Sequence, residues 1–369
     1  MSGIQFEIQA IAVVVAVACA LPGVFLVLRR MVLMSDAISH AILLGIVVAY
    51  FITRDMSSPF LVFAAAATGL LTVALVELIN RTRLVREDAA IGLVFPLLFS
   101  LGVILISRYA GNVHLDTDAV LLGELAFSPF DRLVWFGYDF GPKALGVMTG
   151  ILALNILFIT IFYKELKLTA FDAGLAAALG FSPAVINYAL MSLVSLTAVG
   201  AFDAVGSILV VALMVAPPAA AYLLTERLAV MILLSAAIGS VGAVSGYWLA
   251  HLFDVSIAGS MAVACGAIFG IVMLAAPGRG IIAVARRNAR QRREFPQTML
   301  AIHLANHEGK PDEANECRLD TLFQHLRWDK TYTARVVGMA EGRGLVERID
   351  GQLCLTATGR RLARETMHL

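Results

Sequence analysis

Residues 6–28 read FEIQAIAVVVAVACALPGVFLVL, a run in which Glu7 carries the one charge. A helix rises about 1.5 Å per residue, so a run of this length crosses the roughly 30 Å hydrocarbon core of a bilayer. Comparable runs recur at 32–52, 60–79, 89–107, 145–163, 184–202, 205–224, 228–249 and 257–276. The pair broken at Asp203 reads either as two spans or as one span with a half-helix that re-enters its own leaflet, so the count is eight or nine. The whole chain is 59% hydrophobic and 15% charged, too apolar for an ordinary water-soluble protein. Beyond Arg286 the sequence turns to ordinary soluble composition. The expected organisation is an all-α polytopic membrane domain at 1–278, a basic linker at 279–294 and a small soluble domain at 295–369.

Basic residues stay on the cytoplasmic side of a membrane. Here they cluster at Arg29 and Arg30, at Arg81, Arg83 and Arg86, at Lys164 and Lys167, at Arg227, and from Arg279 to Arg293. With nine spans all five clusters fall on one side, which puts the N-terminus outside and the C-terminal domain in the cytoplasm. The first apolar run has no Lys or Arg before it, so it reads as a retained helix rather than a cleaved signal. Arg286 to Arg293 would rest on anionic lipid headgroups. No CxxC pair marks a Cys-based zinc site, and no GxxxxGK[ST] loop is present to cradle ATP. Transport driven by ATP would therefore need a second protein.

An ionisable group in the bilayer core costs about 2.5–3.5 kcal/mol, so each one needs a reason to be there. In Met34-Ser35-Asp36-Ala37-Ile38-Ser39-His40 the carboxylate and imidazole stand four apart, on one helix face. Such a pair suits a zinc, manganese or ferrous ion. It equally suits an Asp–His hydrogen bond between helices, or an Asp near the start of a span. Ser35 and Ser39 read as bonding the preceding turn, with Ser39 also a candidate for the pathway. Asp203, between Gly200 and Gly206, marks either a broken helix lining a pathway or an interfacial residue. His114, Asp116 and Asp118 sit close together in an outer loop that either captures metal in passing or is simply solvated. Residues 169–183 are too short and polar to cross, and read as a short helix between two spans, stopped by Gly180 and Pro183.

Four matches in chain order carry a resemblance: 33–41, 86–92, the stretch from Phe171-Asp172 to Leu179-Gly180, and 206–213 followed by Pro217. Together they make residues 6–276 similar to the integral membrane permeases of ABC importers for manganese, zinc and iron. The resemblance implies a homo- or heterodimer of permeases, two cytoplasmic ATPase subunits that bind the ATP, and an outer metal-binding protein that delivers the ion. It implies a multi-pass protein of the cell (inner) membrane with no permanently bound cofactor and no catalysis of its own, the divalent metal being cargo. Asp36 and His40 would then face the pathway, and Phe171, Asp172, Leu179 and Gly180 would belong to the coupling helix that touches the ATPase. Leu44 and Asp203 depart from the family pattern, which commonly has Pro and then Gln or Glu at these places.

Family members typically end soon after the last span, whereas here residues 295–369 continue. Helical patterns at 297–308, 319–326 and 333–341 are followed by two strands around Asp350-Gly351 and a closing helix at 358–367. This α+β pattern resembles the winged helix of iron- and manganese-dependent repressors, with 333–341 as recognition helix and Arg348 on the wing. Ten Lys and Arg against ten Asp and Glu leave no net charge to attract phosphate, so a regulatory or protein-contact role is favoured over nucleic acid. No ligand cluster is visible in the sequence of this domain to support metal sensing.

The reading is thus a permease that admits a divalent transition metal past Asp36 and His40 when partner ATPases hydrolyse ATP. Two other readings compete. A membrane-anchored regulator would bind DNA through 295–369, and an ion-coupled secondary carrier would work without ATPases.

Overall fold

A computed structural model describes residues 3–54, 58–109, 125–135, 138–349 and 351–367. These divide into two units, Met1–Gly280 and Ile281–Leu369. In the first, α1 (Gly3–Leu28), α2 (Leu33–Thr53), α3 (Pro59–Arg81) and α4 (Glu87–Tyr109) lead to a β-hairpin, β1 (Arg132–Trp135) and β2 (Tyr138–Pro142). Then follow α5 (Lys143–Ile161), α6 (Tyr163–Phe171), α7 (Ala173–Ala178), α8 (Pro183–Leu224), α9 (Leu228–Phe253) and α10 (Ile257–Ala275). Among the described residues, eight of these helices are long and apolar enough to cross a membrane.

One of the eight is not straight. Laid out linearly, the 42 residues of α8 would run about 63 Å. Yet near its start Asn187 accepts a hydrogen bond from Arg29, just past the end of α1, while Tyr222 near its finish lines a cavity with Leu28. Gly23 of α1 also lies against the Met214 carbonyl and Pro218. Both ends of α8 therefore meet the same end of α1, and the helix doubles back. The reversal is at Gly206 (φ 76°, ψ 166°), backbone that a side chain all but forbids. Its limbs, 183–205 and 207–224, run roughly 35 and 27 Å. Counting the two limbs separately, the described residues of this unit hold nine long apolar helical segments. The sequence break was expected at Asp203, but Asp203 is still helical and the turn falls three residues later, where glycine supplies the positive φ.

The same neighbours order the ends. Arg29, Glu77, Asn80, Thr169 and Pro183 line one cavity, and Arg279 bonds Glu226 at 2.7 Å. This end carries the first four basic clusters together with Arg279. At the other end Arg132 of the hairpin reaches Glu7, 3.5 Å away. Between them the interior is apolar, with few polar pins. Asn155 of α5 donates to the Ala18 carbonyl at 2.8 Å and to Thr197 at 3.1 Å, tying α1, α5 and α8 at mid-depth. The β1–β2 hairpin has no counterpart in the sequence reading, which placed only a loop there.

In the second unit, α11 (Ile281–His307) is followed by α12 (Glu313–Glu316), α13 (Leu322–His325), α14 (Lys330–Gly342), the antiparallel pair β3 (Val346–Ile349) and β4 (Gln352–Leu355), and α15 (Ala357–Met367). Residues 281–294 of the stretch read as a basic linker lie inside α11. Leu300, Leu304, Leu322, Val336, Val337, Val346 and Leu353 form a core belonging to this unit alone. Asp329 caps α14, its carboxylate accepting from the Thr331 amide at 2.9 Å.

Candidate functional site

The first turns of α2 bring the acid and the base together. Asp36 and His40 project from one face, His40 Nε2 3.4 Å from Asp36 Oδ1. The two side chains are 44% and 27% exposed respectively, so neither is sealed inside the single chain. The imidazole packs against the rings of Phe95 and Phe99 of α4, with centroids 5.4 and 5.7 Å away. Counted along α2, the pair lies roughly 5 and 10 Å in from the basic end.

The serines beside them are spent locally. Ser35 donates to the Val32 carbonyl at 2.8 Å, and the buried Ser39 donates to the Ser35 carbonyl at 2.9 Å. Asp203 is exposed and lies elsewhere. Ile38 is level with Gly69 and Ser195, and eight residues of α8 separate Ser195 from Asp203, about 12 Å toward the opposite end. The structure therefore joins Asp36 with His40 but does not bring Asp203 to them. His114, Asp116 and Asp118 lie outside the described residues.

At the basic end, the helical path breaks at Asp172, whose extended backbone (φ −150°, ψ 95°) starts a new direction. Its carboxylate accepts from the Leu175 amide at 2.9 Å and so caps α7. Gly180 (φ 88°) ends the segment. Phe171, Leu175, Leu179 and Phe181 are large, apolar and exposed, an unusual density for so short a connection.

One residue here was read from sequence only as a marker of sidedness. Arg29 donates to the Asn187 side-chain oxygen and the Thr169 hydroxyl, each at 2.7 Å. It thereby fastens the end of α1 to α6, which precedes the short helix, and to the start of α8, which follows it. Nothing local in the sequence announces this, because its partners lie 140 and 158 positions away.

Comparison with known proteins gives a consistent picture. The model of the ABC 3 transport family matches residues 4–276. The chain is 49% identical over 358 residues to the zinc transport system membrane protein TroD of Treponema pallidum, covering 97% of each. That match extends into the second unit. It is 47% identical to the manganese transport system membrane protein MntD of Bacillus subtilis, covering 79% of this chain and 99% of that one. The solved structure of PsaBC from Streptococcus pneumoniae in complex with Fab superposes with a TM-score of 0.62 at 30% identity, covering 75% of this chain and 93% of that one. A family model spanning the whole helical unit, joined to a relative matched almost end to end, makes this chain a member of the ABC 3 transport family of membrane permeases.

Proposed function

We propose that the chain is the membrane-spanning subunit of an ATP-driven importer of divalent transition-metal ions, manganese or zinc foremost and iron within reach of the same ligands. The observation that carries this is the Asp36–His40 pair, an oxygen and a nitrogen donor held one turn apart within a spanning helix. Neutral imidazole with carboxylate is a donor set of intermediate softness that accepts several first-row divalent ions. The names of TroD and MntD, which specify zinc and manganese, point the same way.

A partly exposed carboxylate at membrane depth needs a polar neighbour rather than acyl chains. This supports a second permease subunit, identical or homologous, facing α2 so that the cation passes between the two. The basic end is read as cytoplasmic, and the exposed apolar side chains of 171–181 as the coupling helix that seats in a groove of the ATPase subunit. Delivery from outside by a metal-binding protein, with His114, Asp116 and Asp118 as a transient capture point, completes the cycle. The order of four helices, a two-stranded hairpin and a closing helix in the second unit supports a winged helix. The balanced charge of residues 295–369 favours a regulatory contact in the cytoplasm over DNA binding.

The test is uptake of radioactive manganese and zinc by cells carrying Asp36→Ala or His40→Ala at unchanged membrane levels. Loss of uptake by both variants is expected, and wild-type uptake would remove the pair from the mechanism.

A further inference from the structure

The second unit assembles a donor cluster that its sequence hides. His303 and His307 stand four apart near the end of α11, and the chain turns back through α12 so that Glu316 comes to face them. One ligand atom from each of the three lies within 4.8 Å of the others. His325 of α13 joins from the far side, its Nδ1 2.9 Å from Glu316 Oε2.

We propose that His303, His307 and Glu316, with His325 completing a fourth position, bind a divalent first-row transition cation, zinc foremost. Three imidazoles and one carboxylate make up a four-coordinate nitrogen-rich set, which holds zinc more strongly than manganese. Tetrahedral ligands on zinc stand about 3.4 Å apart, so the widest separation among His303, His307 and Glu316 has to close by about 1.4 Å, within the reach of side-chain rotation.

Two further features suit the role. His307 Nδ1 is held 2.8 Å from Asp312 Oδ2, the way a carboxylate commonly orients a ligating imidazole. With Nδ1 so engaged, Nε2 is the nitrogen left to a cation. The rings of His303 and His307 already stand 4.8 Å apart at their centroids, and His303 Nε2 lies 3.7 Å from Glu316 Oε2. Occupancy would pin α12 and α13 to α11, so the second unit would be ordered by the cation independently of any transport through the first.

The experiment uses the full-length chain in detergent, carrying Asp36→Ala and His40→Ala so that the intramembrane pair contributes nothing. Zinc titrated against a chromogenic chelator is expected to fill about one site per chain. Adding His303→Ala with His307→Ala is expected to weaken that site by ~100-fold or more, beyond what loss of an orienting partner does. Cobalt added to the chain with both histidines intact reads the geometry without relying on those substitutions, and an intense tetrahedral spectrum is expected. Failure of the Asp36→Ala, His40→Ala chain to take up zinc, retention of zinc after His303→Ala and His307→Ala, or a weak octahedral cobalt spectrum would each overturn the assignment.

Discussion

The Arg29 guanidinium holds the Asn187 side-chain oxygen at 2.7 Å, joining the end of α1 to the start of a helix more than 150 residues later. A second hydrogen bond, to Thr169, makes the contact a three-way junction. Hydrogen bonds to a charged group contribute about 1.5–3 kcal/mol each way they are removed. Arg29→Met should therefore lower the thermal midpoint of the detergent-solubilised protein by the equivalent of at least ~1.5 kcal/mol. Arg29→Lys, which keeps the charge but loses the planar fork, should fall between. Fluorescence-detected size exclusion after heating gives the comparison.

Gly206 predicts a contrast between two substitutions of the same kind. At φ 76° and ψ 166° an added Cβ costs about 1–3 kcal/mol, so Gly206→Ala should destabilise the chain. Gly150 is helical with open space where a Cβ would go, and Gly150→Ala should be neutral or mildly stabilising. Equal effects in thermal melts of the two variants would contradict the reversal at 206.

Leu175 and Leu179 are exposed in the single chain, so Asp at either position should change its stability by no more than about 0.5 kcal/mol. On the proposed function the same changes remove an apolar anchor from the ATPase contact. Co-purification of the ATPase with Leu175→Asp or Leu179→Asp should drop sharply while the yield of the permease itself holds.

Asp329 gives a pH dependence with a definite sign. The Thr331 hydroxyl first, and the Thr331 amide next, hold its carboxyl below the usual carboxylate range. The folded unit thus binds this proton less readily than the unfolded chain does. The resulting stability is complete above the ordinary carboxylate pKa of about 4 and is lost as pH falls through the lower folded value. Trp328, packed against the core of the second unit, reports this when Trp135 and Trp248 are replaced by Phe. The urea midpoint read at Trp328 should fall between pH 6 and pH 3, and Asp329→Asn, which keeps a capping oxygen, should flatten that part of the curve.

The spans were legible because a bilayer imposes a length and a composition on each crossing, and runs such as 6–28 satisfy both without reference to any neighbour. That Arg29, Arg81, Lys164, Arg227 and Arg279 share one end of the bundle was legible in the same way. The Asp36–His40 pair was legible for the same local reason, since four residues is one helical turn. What the sequence did not disclose is what depends on return of the chain. The turn of α8 was sought at the charged Asp203 but sits at Gly206, where backbone conformation decides. The β1–β2 hairpin has too few residues to show an alternating pattern. In the second unit the sequence showed no ligand cluster, because Glu316 and His325 reach His303 and His307 only after two turns that no period announces.

The doubled course of α8 has a mechanical consequence. Its first limb starts at Pro183, with only residues 179–182 separating it from α7, and by Ser195 it lies against Gly69 and the Ala66 carbonyl of α3, with Ile38 of α2 alongside. A displacement applied at the exposed rim thus enters a rod whose far tip is a glycine fulcrum. On the proposed function, the lever's mid-section would swing against the very turn of α2 that holds the acid and the imidazole, so the stroke of a motor outside the bilayer would reach the proposed ligands without crossing a single long loop.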